Sequence, residues 1–326
     1  MYATGRSVIV KLLLVSIALF SMCAAARGAA PSCVPDQDFL TNLRVFAQQA
    51  HDRGDVRQFD DSVDAAEHAK DSCTRYEAYE WLGEFWATSA QRGEWRHAID
   101  AFIAAYKLAP DDHARSRPLY HYARLLQVDD DPAHAIGPIR SARDLDPGSN
   151  EIAALYAQIE GDYNNPTKQQ IKRGLWDSMY KELPDRSIPR DVPAAAAPVN
   201  ARIASPDASV SIPINFETGT AIVDGQTRSN VEKLAAVLAD ADHPAQHFMF
   251  VGHADVRGSE ANNLILSKRR AEALRESVIL MQPTLQSRIE VRGRGSAEPI
   301  DPGHNERAYR LNRRLQVLRE LLPASN

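Results

Sequence analysis

The chain has 326 residues, 44% of them hydrophobic and 25% charged, which allows two domains and excludes wholesale disorder. With 16 Gly and 19 Pro it is neither collagen-like nor low-complexity. Its net charge of −5 argues against a general nucleic-acid binder.

The chain opens with Arg6 and Lys11, an apolar stretch from Leu12 to Met22, and then Cys23-Ala24-Ala25-Ala26. A basic start, a short apolar core and small residues at the cut make a secretory signal peptide over residues 1–26. Cleavage after Ala26 is expected, with Ala30 the alternative. The apolar core is too short to span a bilayer, and no longer apolar run follows, so no span is expected in the mature protein. Phe20-Ser21-Met22 is a poor approach to a lipidated cysteine, and lipidation of Cys23 stays open as an alternative. Loss of Cys23 leaves Cys33 and Cys73, an even pair in an exported chain. One disulfide is expected between them, with two buried thiols as the alternative.

The next segment repeats itself. Ala98-Ile99, Phe102, Ala105, Leu108 and Pro110 recur 37 residues later as Ala135-Ile136, Ile139, Ala142, Leu145 and Pro147. The spacing places the apolar positions on one helical face, and the proline ends each helix. Leu119, Tyr122, Ala123 and Leu126 form the preceding helix of the second copy. Together, residues 116–149 resemble the tetratricopeptide repeat, which implies antiparallel helix pairs packed through small residues, here Ala123 and Ala135. The first copy departs from that pattern, because its small position falls on Trp86. Ile152, Leu155, Tyr156 and Ile159 start a third unit, with Ile171, Leu175 and Met179 expected as a closing helix. A helical-repeat domain is therefore expected over residues 34–183. Residues 34–165 carry 24 acidic and 13 basic side chains, a net −11 that reads as a protein-binding surface or a solvated face.

Prolines 184, 189, 193, 198 and 206 and the run Ala194–Ala197 mark a linker over residues 184–206. Beyond it the pattern changes. Strands are expected at 209–216, 246–251, 288–293 and 314–318, with helices at 224–240 and from Leu264 to Val278. Leu264, Ser267, Ala271, Leu274 and Val278 are expected to face inward. Strand and helix alternate, so residues 207–322 read as a βαβαβ layered α/β domain.

That segment carries Gly252-His253-Ala254-Asp255, Gly258-Ser259, Asn263, Leu266-Ser267, Arg270-Ala271, Gly293-x-Gly295, Pro299 and Asn312-Arg313-Arg314. In this order they resemble the OmpA-like C-terminal domain over roughly residues 209–320. The resemblance implies noncovalent binding of peptidoglycan in the periplasm of a Gram-negative bacterium, through the diaminopimelate of the stem peptide. It implies that Asp255 and Arg270 grip that residue. Ala254 stands where the family most often has Thr, and the charged stretch Asp301–Arg310 is a second departure.

The chemistry supports such a pair independently. Free diaminopimelate ends in an ammonium and a carboxylate on one carbon, so a carboxylate and a guanidinium can meet both. Asn263 lies seven residues before Arg270, on the same helical face, and offers a donor and an acceptor. His253, Gly258, Leu266, Ser267, Asn312, Arg313 and Arg314 are expected to support the site, with Asn312 bonding the Asp255 loop. A plain Asp255–Arg270 ion pair is the alternative reading. A cell-wall hydrolase using His253, Asp255 and either His247 or His304 as metal ligands is a weak rival. No nucleophile elbow, His-Glu-x-x-His pair or phosphate loop occurs, and no cofactor is implied. The combined expectation is a non-enzymatic periplasmic adaptor. Its C-terminal domain holds peptidoglycan, its repeats hold another envelope protein, and its attachment to the outer membrane is indirect. A scaffold that does not bind peptidoglycan is the alternative.

Overall fold

The computed structural model describes residues 34–53, 56–89, 95–177, 209–213, 216, 225–240 and 242–319. The expected signal peptide, Cys33, Met179 and the linker at 184–206 lie outside these residues. Among the described residues no helix is long and apolar enough to cross a membrane.

The first half is helical. α1 (Gln37–Arg53), α2 (Val56–Glu67), α3 (Ser72–Ser89), α4 (Trp95–Leu108), α5 (Asp112–Val128), α6 (Pro132–Leu145) and α7 (Asn150–Asn164) follow one another. Their ends are written locally. The Asp111 carboxylate accepts the Ala114 N–H at 2.7 Å to start α5, and Asp131 with Pro132 starts α6. α3 packs on α4, α5 on α6, and α6 on α7. Leu119, Tyr122, Ala123, Leu126, Ala135, Ile136, Ile139 and Ala142 are all fully buried, as their spacing requires. In the first helix pair the close approach occurs at Gly83 rather than at Trp86. A Cβ at Gly83 would lie 2.4 Å from the Phe102 ring, whereas Trp86 packs edge-on against Phe85.

α8 (Lys168–Lys172) is capped by Thr167 and Gln170 and runs into a π-helical turn, Arg173–Asp177. Ile171 and Leu175 are fully buried, but they do not close the helical stack. With Ala133 and Trp176 they join the core built on the sheet.

The second half contains β1 (Ser209–Pro213), α9 (Gly225–Leu238), β2 (Phe248–Gly252), α10 (Glu260–Met281), β3 (Ile289–Gly293), α11 (Glu306–Asn312) and β4 (Arg314–Arg319). The sheet order is β1-β4-β2-β3. β2 and β3 are parallel, while β4 runs antiparallel to both β1 and β2. Phe250 pairs with Val291 on one side and Val317 on the other, and both Phe248 and Phe250 are fully buried. α10 packs across β2 and β3 and against α9. Its inward face carries Ser267, Ala271, Leu274 and Val278 as expected, but Leu264 is half exposed and Asn263 is buried in its place. α11 was not expected. It occupies the second half of the charged stretch before Asn312, with Asn305 capping its first turn.

The described residues from Pro35 onward belong to one compact unit. Edge strand β1 lies against α6 and α7, so its open side is covered by helices rather than left for another strand. Gly174 meets Val210 closely, a Cβ there lying 3.1 Å from the valine Cγ2. Ile300 and Leu311 from the sheet half join the helical core. Polar contacts reinforce the join: Lys172 reaches Asp240 at 2.7 Å, and the Arg307 guanidinium grips Glu160 with bonds of 2.9 and 2.7 Å. The guanidinium carbons of Arg143 and Arg307 both lie over the Tyr156 ring, 4.2 and 4.0 Å from its centre. A double-mutant cycle of Arg307→Ala and Glu160→Ala in urea denaturation is expected to give a coupling energy of about 1 kcal/mol. Additive effects within error would show that the pair does not tie the two halves.

Candidate functional site

β2 ends at Gly252, and Asp255 follows three residues later in a buried turn. α10 starts one turn on, with the Ser259 hydroxyl accepting the Asn262 N–H. This start brings Asn263, Ser267 and Arg270 over the strand end. The approach is close because two glycines face the helix. A Cβ at Gly252 would lie 2.1 Å from the Ser267 carbonyl oxygen, and one at Gly293 would lie 2.6 Å from that of Leu264. Gly258, at φ +92°, takes a backbone conformation that side chains disfavour.

Asp255 is the centre of the arrangement. Its Oδ1 accepts the backbone N–H and the Nε–H of Arg257, both at 3.0 Å. Its Oδ2 accepts from Arg257 Nη2 at 2.7 Å and from Arg313 Nη1 at 2.9 Å. Burial pushes this carboxyl up, but the hydrogen bonds from Arg257 and Arg313 more than reverse that and hold it at about 2. Glu306 sits behind the two arginines, bonded to Arg313 at 2.9 Å and 3.4 Å from Arg257. Arg257 also stacks on Tyr309, 4.4 Å from its ring centre.

Arg270 is buried on the same side, its guanidinium carbon 4.8 Å over the Phe216 ring. Burial, then the charge of Arg313, lowers it to about 10. The ion-pair partners of Asp255 are thus Arg257 and Arg313, not Arg270. The plain Asp255–Arg270 pair of the alternative reading is absent.

The other expected residues divide between framework and rim. The Asn263 side-chain N–H donates to the Asp255 carbonyl at 3.1 Å, and Ser267 Oγ accepts the Gly295 N–H at 2.9 Å. His253 lies in the core beside Gln316, and burial and then the Arg314 charge lower its pKa far below the ordinary value. Arg314 is buried and donates to the Glu298 carbonyl. Asn312 does not bond the Asp255 loop. It exchanges bonds of 3.0 and 2.6 Å with the backbone of Asp301 and so closes the loop that carries α11. Leu266 is half-buried on α10.

Arg257, Glu306 and Tyr309 are additions that the sequence reading missed. Among the described residues, the cluster brings together three arginines and two carboxylates. It can present a carboxylate to a cation and guanidinium groups to an anion across a short distance.

Residues 215–313 match the OmpA family. A peptidoglycan-associated lipoprotein of Legionella pneumophila is 35% identical over 91 residues, which is 27% of this chain and 51% of that protein. The chain carries an OmpA-family C-terminal domain. Outer membrane porin F of Pseudomonas fluorescens is also similar, 29% identical over 108 residues, 33% of this chain and 32% of the porin. The chain therefore spans about half the length of the first relative and a third of the second. Among solved structures, the peptidoglycan-associated lipoprotein of Burkholderia pseudomallei is 28% identical and has a TM-score of 0.30, covering 33% of this chain and 88% of that one. Every residue of the Asp255 cluster lies within the matched span.

Proposed function

We propose that the OmpA-family domain binds peptidoglycan by capturing the free amino-acid end of meso-diaminopimelate. The observation that carries this reading is Asp255, a fully ionised carboxylate set among three guanidinium groups. The ligand ammonium replaces Arg257 at Asp255. The ligand carboxylate meets Arg270, a buried guanidinium stacked on Phe216 that can receive it bidentately. Asn263 already bonds the Asp255 backbone, so in this reading it positions the loop more than it touches the stem. The names of the lipoprotein relatives point the same way. Co-sedimentation of the full chain with purified diaminopimelate-type sacculi tests this. Pelleting that free meso-diaminopimelate reverses is expected. A folded protein that stays in the supernatant would leave the scaffold reading instead.

Arg257 stands in the ligand's place while nearly half exposed, so it acts as a displaceable plug. Arg257→Ala is expected to tighten meso-diaminopimelate binding several-fold in calorimetry. A several-fold loss would mean that Arg257 contacts the ligand itself.

The wider role in this proposal is a non-enzymatic periplasmic adaptor. The helical hairpins, of tetratricopeptide type, hold a second envelope protein, and the acidic excess of residues 34–165 favours a basic partner surface. A disulfide between Cys33 and Cys73 fits an exported chain. Cys73 is disulfide-bonded at the first turn of α3, which supports it. Non-reducing peptide mapping is expected to recover the two cysteines in one linked pair, and two free thiols would exclude it.

A further inference from the structure

The helical half holds a second cluster of chemistry that the sheet domain does not use. Glu80 and Glu84 lie one turn apart on α3, and His121 faces them from α5. One ligand atom from each lies within 4.8 Å of the others, and His121 Nε2 is 2.8 Å from Glu84 Oε1. We propose that Glu80, Glu84 and His121 form a binding site for one divalent transition-metal ion of the zinc class.

Three observations support it. Glu80 is 2% exposed, and neither of its carboxylate oxygens has a hydrogen-bond donor. A buried carboxylate left in that state calls for a cation better placed than the one beside it. That neighbour is Arg117, whose Nε lies 3.2 Å from Oε2 and whose Nη2 lies 3.9 Å from Glu84, on a side chain that is 47% exposed. The His121 ring is stacked on Phe102 with centroids 5.5 Å apart, so its orientation is set before any ion arrives. One imidazole and two carboxylates form a mixed nitrogen–oxygen set that suits Zn2+, with water as the fourth ligand, whereas Mg2+ and Ca2+ favour oxygen ligands alone. An ion there would pin α3 to α5 and lock two successive helical hairpins together.

The test uses the full chain, free of any polyhistidine tag and stripped with a chelator. It is titrated with ZnCl2 by calorimetry and with CoCl2 by visible absorption. Saturable binding of one Zn2+ per chain, with d–d bands on cobalt loading, is expected. Glu84→Gln and His121→Gln are each expected to weaken Zn2+ binding at least about 10-fold while the circular dichroism is unchanged. Arg117→Gln, which removes the competing cation, is expected to tighten it. Absence of saturable Zn2+ binding by the folded wild type would overturn the site. So would binding that survives unchanged in the Glu84 and His121 variants, because the ion would then sit on other histidines. Should those variants misfold, the wild-type stoichiometry and the Arg117→Gln comparison still decide, weaker binding in Arg117→Gln counting against the site.

Discussion

Asp255→Asn is expected to weaken meso-diaminopimelate binding by more than about 30-fold, a loss of about 2 kcal/mol or more. The substitution keeps the size of the side chain and removes only its charge. An ammonium that displaces Arg257 would then meet a neutral amide, and Arg313 would lose one of its two carboxylate partners. The pH dependence follows from the lowered pKa. A carboxyl lowered on folding from 3.8 to about 2 contributes stability that is fully present above 3.8 and is lost as pH falls through about 2. The wild type should therefore hold its affinity from pH 7 down to about pH 4. The acid limb of its stability profile between about pH 4 and 2 should be steeper than that of Asp255→Asn. Calorimetry for binding and thermal melts across that range check both statements. Undiminished binding by Asp255→Asn would remove Asp255 from the site.

Gly252→Ala is expected to destabilise the domain by about 3 kcal/mol or more, enough to leave much of the protein insoluble. The added methyl would lie 2.1 Å from the Ser267 carbonyl oxygen and 2.9 Å from its carbon, which belong to the α10 backbone. A flexible side chain could step aside, but a 22-residue helix packed on two strands cannot without moving Asn263, Ser267 and Arg270 together. The same change at Gly293 meets the Leu264 carbonyl at 2.6 Å and the Lys268 nitrogen at 2.8 Å. Gly225→Ala, where the new Cβ meets nothing within 4 Å, is the control and should stay within about 0.5 kcal/mol of the wild type. Urea denaturation of the three variants checks the ordering. A stable Gly252→Ala would mean that the helix does not ride on the strand as closely as described.

These two residues show what the sequence could and could not reveal. The expected strands fall within one or two residues of β2, β3 and β4, and Phe248, Phe250, Ile289, Leu315 and Val317 share one core with residues of α9 and α10. The glycines were visible as motif positions, but their purpose is a helix resting on a strand, which no local pattern encodes. Leu264 fitted the helical period and is nevertheless half exposed. Near the site the inner face of α10 is polar, built from Asn263, Ser267 and Arg270, and hydrophobic periodicity cannot register a polar face. Arg257 is a charged loop residue with no period to mark it. α11 hid in a polar stretch, where the signals were the Asn305 cap and the three-residue spacing of Ala308 and Leu311, both buried. The packing of β1 against α6 and α7 rests on contacts between segments far apart in the chain, beyond what a periodic pattern can report.

The central claim, that Asp255 and Arg270 read the free amino-acid end of diaminopimelate, is tested most directly by calorimetric titration of the full chain with meso-diaminopimelate beside L-lysine methylamide, whose side chain ends in an ammonium without the adjoining carboxylate. Saturable one-to-one binding of meso-diaminopimelate, with the lysine derivative weaker by at least about 10-fold, is predicted, because the derivative leaves Arg270 without its anion. Equal affinity for the two, or no saturable heat from a folded chain, would contradict it.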